Sequence, residues 1–86
     1  MKGVLSTRMV GDRNLVGDRI RQARLALKPP ATQSQVSAKL REEGIELTFS
    51  SVGKIEQGLS AVTDKQLVAF SRVLGVSVLW LLGMED

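Results

Sequence analysis

Two tetrapeptides of the same form, Thr32-Gln33-Ser34-Gln35 and Thr63-Asp64-Lys65-Gln66, constrain this chain more than any other feature. Each has the composition of a capping box. The threonine hydroxyl accepts from the N–H three residues on, and the glutamine side chain reaches back to the threonine N–H. Each is followed by apolar residues at helical spacing and then by a glycine suited to the residue just past a helix end. Val36 and Leu40 form the inner face after the first box, closed by Gly44. Leu67, Phe70 and Leu74 follow the second, closed by Gly75. Three more helices complete the pattern. Val16, Ile20, Ala23 and Leu27 fall on one face from Leu15 onward, and Lys28-Pro29-Pro30 stops that helix because proline lacks the N–H and disfavours helix in the residue before it. Thr48 caps a helix with Val52 and Ile55 inward, ended by Gly58. Ser77 caps a short last helix holding Leu79, Trp80, Leu81 and Leu82. No stretch alternates with the period of a strand. The expectation is an all-α domain of five helices over residues 15–86, preceded by a flexible segment, 1–14, that shows no helical period.

Composition removes whole classes of chemistry. The 86 residues include neither cysteine nor histidine, so disulfides, thiolate or imidazole metal ligation and nucleophile–histidine catalysis are all ruled out. No glycine-rich phosphate loop stands in their place. The chain is read as no enzyme, with no cofactor and no metal. The apolar run near the N-terminus is too short for a signal-peptide core, and nothing approaches membrane-spanning length, so the expected setting is cytoplasmic. The net charge of +3 is unevenly spread. Residues 1–43 carry nine basic against four acidic side chains, and residues 44–86 carry three against five. A positive front half suits a polyanionic partner.

Residues 32–58 join two helices through a short turn. Ser37 is small where those helices must approach. Leu47, Val52 and Ile55 would pack the second helix down, leaving Phe49, Ser50, Ser51 and Lys54 on its outer face. Taken in order, "TQSQVSAKL", "SSVGKIEQG" and "LVAFSRVLGVSVLWLLG", with "GDRIRQAR" before them, this chain resembles the lambda-repressor/Cro-like helix-turn-helix family (XRE-type regulators) over about residues 15–83. The resemblance implies a five-helix lambda-repressor-like domain that binds operator double-stranded DNA as a homodimer and regulates transcription, most often by repression. Two departures stand out. "REEGIELT" is longer than the family's usual turn, and most simply lengthens the first motif helix by a turn. "LSAV" at 59–62 carries no charge where relatives often grip the DNA backbone.

Carried over by position, the resemblance implies that Gln33 holds a phosphate at the start of its helix, with Ser34 beside it. Thr48, Phe49, Ser50, Ser51, Lys54 and Gln57 would face the major groove, and Lys54 would meet phosphate more than base. Serine hydroxyls serve as donor or acceptor, and an apolar ring can rest on a thymine methyl. Phe49 has two readings, a base contact or a place in the core or a protein interface. Arg24 and Glu56 match a structural salt bridge of the family. Arg8, Arg13, Arg19 and Arg21 are candidates for extra backbone contacts. Trp80 is expected to close the core against the first and fourth helices. The run "LWLL" cannot all face inward from one short helix, so Val78, Leu79 and Leu82 are dimer-interface candidates. The alternative reading keeps the fold and changes the job, to a protein-interaction module or an antitoxin-type protein with a protein partner. The uncharged "LSAV", Phe49 and the apolar last helix favour it.

Overall fold

A computed structural model describes residues 12–86, and Arg8 with the rest of residues 1–11 lies outside the described part. Five helices follow one another: α1 (Gly17–Ala26), α2 (Gln33–Glu42), α3 (Phe49–Glu56), α4 (Asp64–Leu74) and α5 (Val78–Leu81), with no strand among the described residues. The fold class is all-α. Their starts are the ones the side chains specify. Both capping boxes close, Thr32 with Gln35 and Thr63 with Gln66, while Thr48 accepts from the Ser51 N–H and Ser77 from the Trp80 N–H.

α1 begins differently. The Asn14 side-chain oxygen accepts from the N–H groups of Val16 and Gly17 at 2.9 and 2.7 Å. Its amide nitrogen donates to the carbonyls of Ile55 and Ser60 at 3.1 and 2.8 Å. One side chain thus starts α1 and ties it to the end of α3. The Arg13 N–H adds a bond to the Gly58 carbonyl at 2.9 Å, so residues 13 and 14, expected in the flexible segment, are tied to the domain. Gly17 is required by contact: a Cβ there would stand 2.3 Å from the Ile55 carbonyl oxygen. At the other end Leu27 is no longer helical. It caps α1 in extended conformation and is half-buried.

The core runs through all five helices. Ile20, Val36, Leu40, Val52, Ile55, Phe70 and Leu81 are its fully buried side chains. α3 packs against both α1 and α2, and α4 contacts α1, α2 and α5. Trp80 packs against the edge of the core, sharing a hollow with Ala23 and Ala26 of α1 and Leu74 of α4. It is half-buried, and its ring lies under the Arg19 guanidinium, 4.5 Å from charge centre to ring centroid. Leu81 is the fully buried residue of α5. Four residues make about one helical turn, so only one residue of α5 points straight inward, and that residue is the smaller leucine.

The long connection between α2 and α3 also differs from expectation. α2 runs only two residues past Leu40, and the rest of the extra length goes into the turn. Gly44, at φ 84°, reverses the chain. Its N–H donates to the Arg41 carbonyl, and the Ile45 N–H donates to the Leu40 carbonyl. That pair of bonds terminates a helix firmly, and it brings the residue after the glycine against the last turn. Ile45 and Leu47 pack on the core, and the Ser37 hydroxyl donates to the Leu47 carbonyl at 2.5 Å.

Candidate nucleic-acid interface

α3 offers one well-defined outer surface. Val52, Gly53, Ile55 and Glu56 are its buried residues. Ser50, Lys54 and Gln57 are exposed and, at i, i+4 and i+7, line one stripe on the opposite side. That stripe holds a hydroxyl, an ammonium and an amide, with no carboxylate. Ser34 is exposed near the start of α2.

Four of the expected contact residues are altered by their surroundings. Thr48 and Ser51 are occupied with each other. The Thr48 hydroxyl accepts from the Ser51 N–H at 3.1 Å and donates to the Ser51 hydroxyl at 3.1 Å, and Ser51 is half-buried. Phe49 does not share the side of Lys54. It stands four residues before Gly53 and seven before Glu56, on the stripe that turns inward, yet the residue is 57% exposed at the first turn of α3. Phe49 is therefore not a core residue. Gln33 is not a free side chain either. Its amide nitrogen donates to Glu56 Oε1 at 3.1 Å, and the amide lies over Gly53, where a Cβ would meet its oxygen at 3.2 Å.

Behind Gln33 lies the pair matched by Arg24 and Glu56. Arg24 Nε donates to Glu56 Oε2 at 2.7 Å and its Nη2 donates to Oε1 at 2.8 Å, with side-chain exposures of 10% and 3%. A further N–H of Arg24 reaches the Ala31 carbonyl at 3.0 Å. The hydrogen bonds and charge of Glu56 hold the Arg24 pKa above its ordinary value, against the opposing effect of burial. One carboxylate thus ties α1, the entry to α2, and α3 together.

Charge around the turn is partly compensated. Glu46 approaches Arg41 at 3.8 Å and Glu43 approaches Arg72 at 3.5 Å, both as exposed pairs. Among the arginines considered as backbone grips, Arg19 is committed to Trp80, stacking on the ring and donating to its carbonyl at 3.2 Å. Arg21 is exposed on α1. Arg13 is brought by its own N–H to the C-terminal end of α3, beside the uncharged 59–62. Sequence spacing could not place it there, since forty-odd residues separate the partners; an asparagine next to it, two residues before the first helix signal, was the available cue.

No protein-family model, curated protein or solved structure matches this chain. The molecule has to be read from its own surface. Among the described residues no group of three or more metal-ligating side chains comes together, and no helix is long and apolar enough to cross a membrane. Of the dimer-interface candidates, Leu79 is 49% exposed, whereas Val78 and Leu82 are half-buried. Leu15 and Met84 are further exposed apolar side chains. Leu15 lines a shallow hollow together with Leu82, Val62 and Leu67.

Proposed function

We propose that this protein is a sequence-reading double-stranded DNA-binding regulator of the lambda-repressor-like helix-turn-helix type, acting as a homodimer and repressing by occupying its operator. The observation that carries the reading is the anchored α3. Its inner face is held by Val52, Ile55 and the Arg24–Glu56 pair, and its outer face offers Ser50, Lys54 and Gln57 with no acidic group. A rigid helix whose exposed stripe mixes hydroxyl, amide and ammonium suits the donor and acceptor pattern of the major groove. Arg13 near the C-terminal end of α3 and Ser34 exposed in the first turn of α2 are the candidates for phosphate contacts. Two-fold pairing would set the two copies of α3 about 34 Å apart, one turn of DNA.

Few cations surround α3, so each protomer neutralises few phosphates and the non-specific part of its affinity is small. Specific binding then depends on dimerisation and on base contacts. Selection of a random duplex pool at low and near-physiological salt tests this. Enrichment of an inverted repeat that survives the higher salt is expected. Recovery of no sequence preference at either salt would overturn the reading.

A protein-interaction role on the same fold has one specific observation in its favour: Leu59 and Leu79 are exposed and apolar. Binding to such a partner would tolerate salt that abolishes non-specific DNA binding.

A further inference from the structure

We propose that a groove built by α1, α2, α4 and α5, with no residue of α3 in its lining, is the docking site for an acidic amphipathic helix of a partner protein. Two neighbouring hollows make this groove. One, of about 510 Å³, lies between α1 and the end of α4 and is lined by Ala23, Ala26, Leu27, Leu74 and Trp80. The other, of about 240 Å³, lies between the Pro29–Pro30 turn and α2, with Val36, Lys39 and Val73 in its wall. Leu27 lines both, so the two adjoin. The prolines after it end α1 at Ala26, and Leu27 sits at the junction in extended conformation, only half-buried.

The charges around the groove have one sign. Lys39 is the only charged side chain in its lining, and the other polar groups there are Gln22 and Gln35. Lys28 stands exposed between Leu27 and Pro29. Among the described residues neither lysine is held in a salt bridge. At the far end the Arg19 guanidinium covers one face of the Trp80 ring. The two carboxylates closest to that end in the chain do not enter the lining: Asp18 lies a turn before Gln22, and Glu85 accepts from the Ser77 hydroxyl.

That charge selects the occupant. Residues 1–11 hold Val4, Leu5, Met9 and Val10, but their only charged side chains are Lys2 and Arg8, the wrong sign for this rim. A second copy meeting the groove by two-fold symmetry would set the same patch against itself, lysines towards lysines. No sheet edge exists among the described residues to take a peptide as an added strand, which leaves the helix-in-groove mode. Apolar side chains on one face of such a helix fill the two hollows, and carboxylates along its borders meet Lys28 and Lys39. Because α3 contributes nothing to the lining, the partner can bind while Ser50, Lys54 and Gln57 stay open. The proposal therefore stands apart from the DNA-binding reading.

Two displayed libraries of helical peptides test it on the full chain. Both randomise apolar anchors at i, i+3, i+4 and i+7, and the remaining positions are glutamate in one and lysine in the other. Trp80 is the only tryptophan in the chain, so its emission reports directly on the first hollow. The glutamate library should yield binders that shift this emission to the blue, and the lysine library should not. Ala26→Glu places a carboxylate at an exposed lining position and should weaken those binders on the order of tenfold. Lys39→Glu should weaken them about fivefold, the upper range for an exposed charge pair. Lys65→Glu, the same charge change outside the groove, should leave the affinity within about twofold. All three positions are exposed, so the fold is kept. Binders from neither library, binders from both alike, or binders indifferent to Ala26→Glu and Lys39→Glu overturn the proposal. A blue shift that grows with protein concentration without peptide would assign the groove to a second copy. A red shift in Leu5→Asp/Met9→Asp would assign it to residues 1–11. Either result also overturns the proposal.

Discussion

Replacing Glu56 by alanine strands a guanidinium that has almost no water to turn to. The Arg24 and Glu56 side chains are 10% and 3% exposed, and the two bonds between them measure 2.7 and 2.8 Å. Removing one partner of a buried pair costs about 3–5 kcal/mol, because the charge left behind is desolvated without compensation. Arg24 keeps its bond to the Ala31 carbonyl, which favours the lower end, about 3 kcal/mol. The same change also frees the Gln33 amide from its 3.1 Å bond. For a domain of this size each kcal/mol moves the midpoint by about 4–8 °C, so Glu56→Ala should melt roughly 12–24 °C below the wild type. Circular dichroism at 222 nm, followed through heating and through urea, is the assay. The double variant Arg24→Met/Glu56→Leu separates charge burial from packing. It should recover much of the loss, since a hydrophobic replacement of similar volume is often neutral. The arginine half of the pair adds no pH dependence near neutrality. Its folded pKa is raised, so its stabilisation is complete below the unfolded value and is lost only as the pH rises through the folded one, at strongly alkaline pH. A Glu56→Ala melt that overlays the wild type, or a double variant as unstable as the sum of both single losses, would refute the reasoning.

Three further perturbations probe the same construction. Gly17→Ala should destabilise by about 1–3 kcal/mol in urea unfolding despite alanine's better helix propensity, because the new Cβ would sit 2.3 Å from the Ile55 carbonyl and must push α1 from α3. A neutral or stabilised variant would mean that the two helices are not held at that distance. Asn14→Ala removes a cap to α1, one bond to the last turn of α3 and one to the segment after it, so about 1–2 kcal/mol should be lost, with faster amide exchange at Arg13 as the local readout. Leu79→Asp should leave the melt of the dilute protein within about 0.5 kcal/mol of the wild type and shift sedimentation at high micromolar concentration from dimer to monomer. A wild type that is monomeric with and without DNA would remove the homodimer from the proposal.

Much of the fold was legible because helix signals are local. Thr32, Thr48, Thr63 and Ser77 each cap the helix they precede, and Gly44 and Gly75 each follow the last turn, since these choices depend on hydrogen bonds within a few residues. Apolar spacing likewise marked Val52 and Ile55 as the inner face of α3. Spacing does not decide which of two neighbouring residues is buried more deeply. Trp80 and Leu81 are adjacent in sequence, and Leu81 is fully buried while Trp80 is half-buried at the edge of the core.

For the candidate site the division is sharper. Residue types and spacing alone determined that α3 would present Ser50 and Lys54, that catalytic chemistry based on histidine or cysteine is excluded, and that the chain would be all-α. Only the tertiary structure decided the status of Phe49, Gln33 and Arg13. Helical periodicity puts Phe49 on the inward stripe, yet it is exposed at the first turn of α3. Gln33 is braced because Glu56 Oε1, already accepting from Arg24, accepts from the Gln33 amide as well, and Gly53 leaves room above it. Arg13 reaches the end of α3 through a backbone bond to Gly58. Each of these is a relation between residues far apart in the chain. Local propensity is blind to such relations, because only packing decides which distant atoms share a boundary.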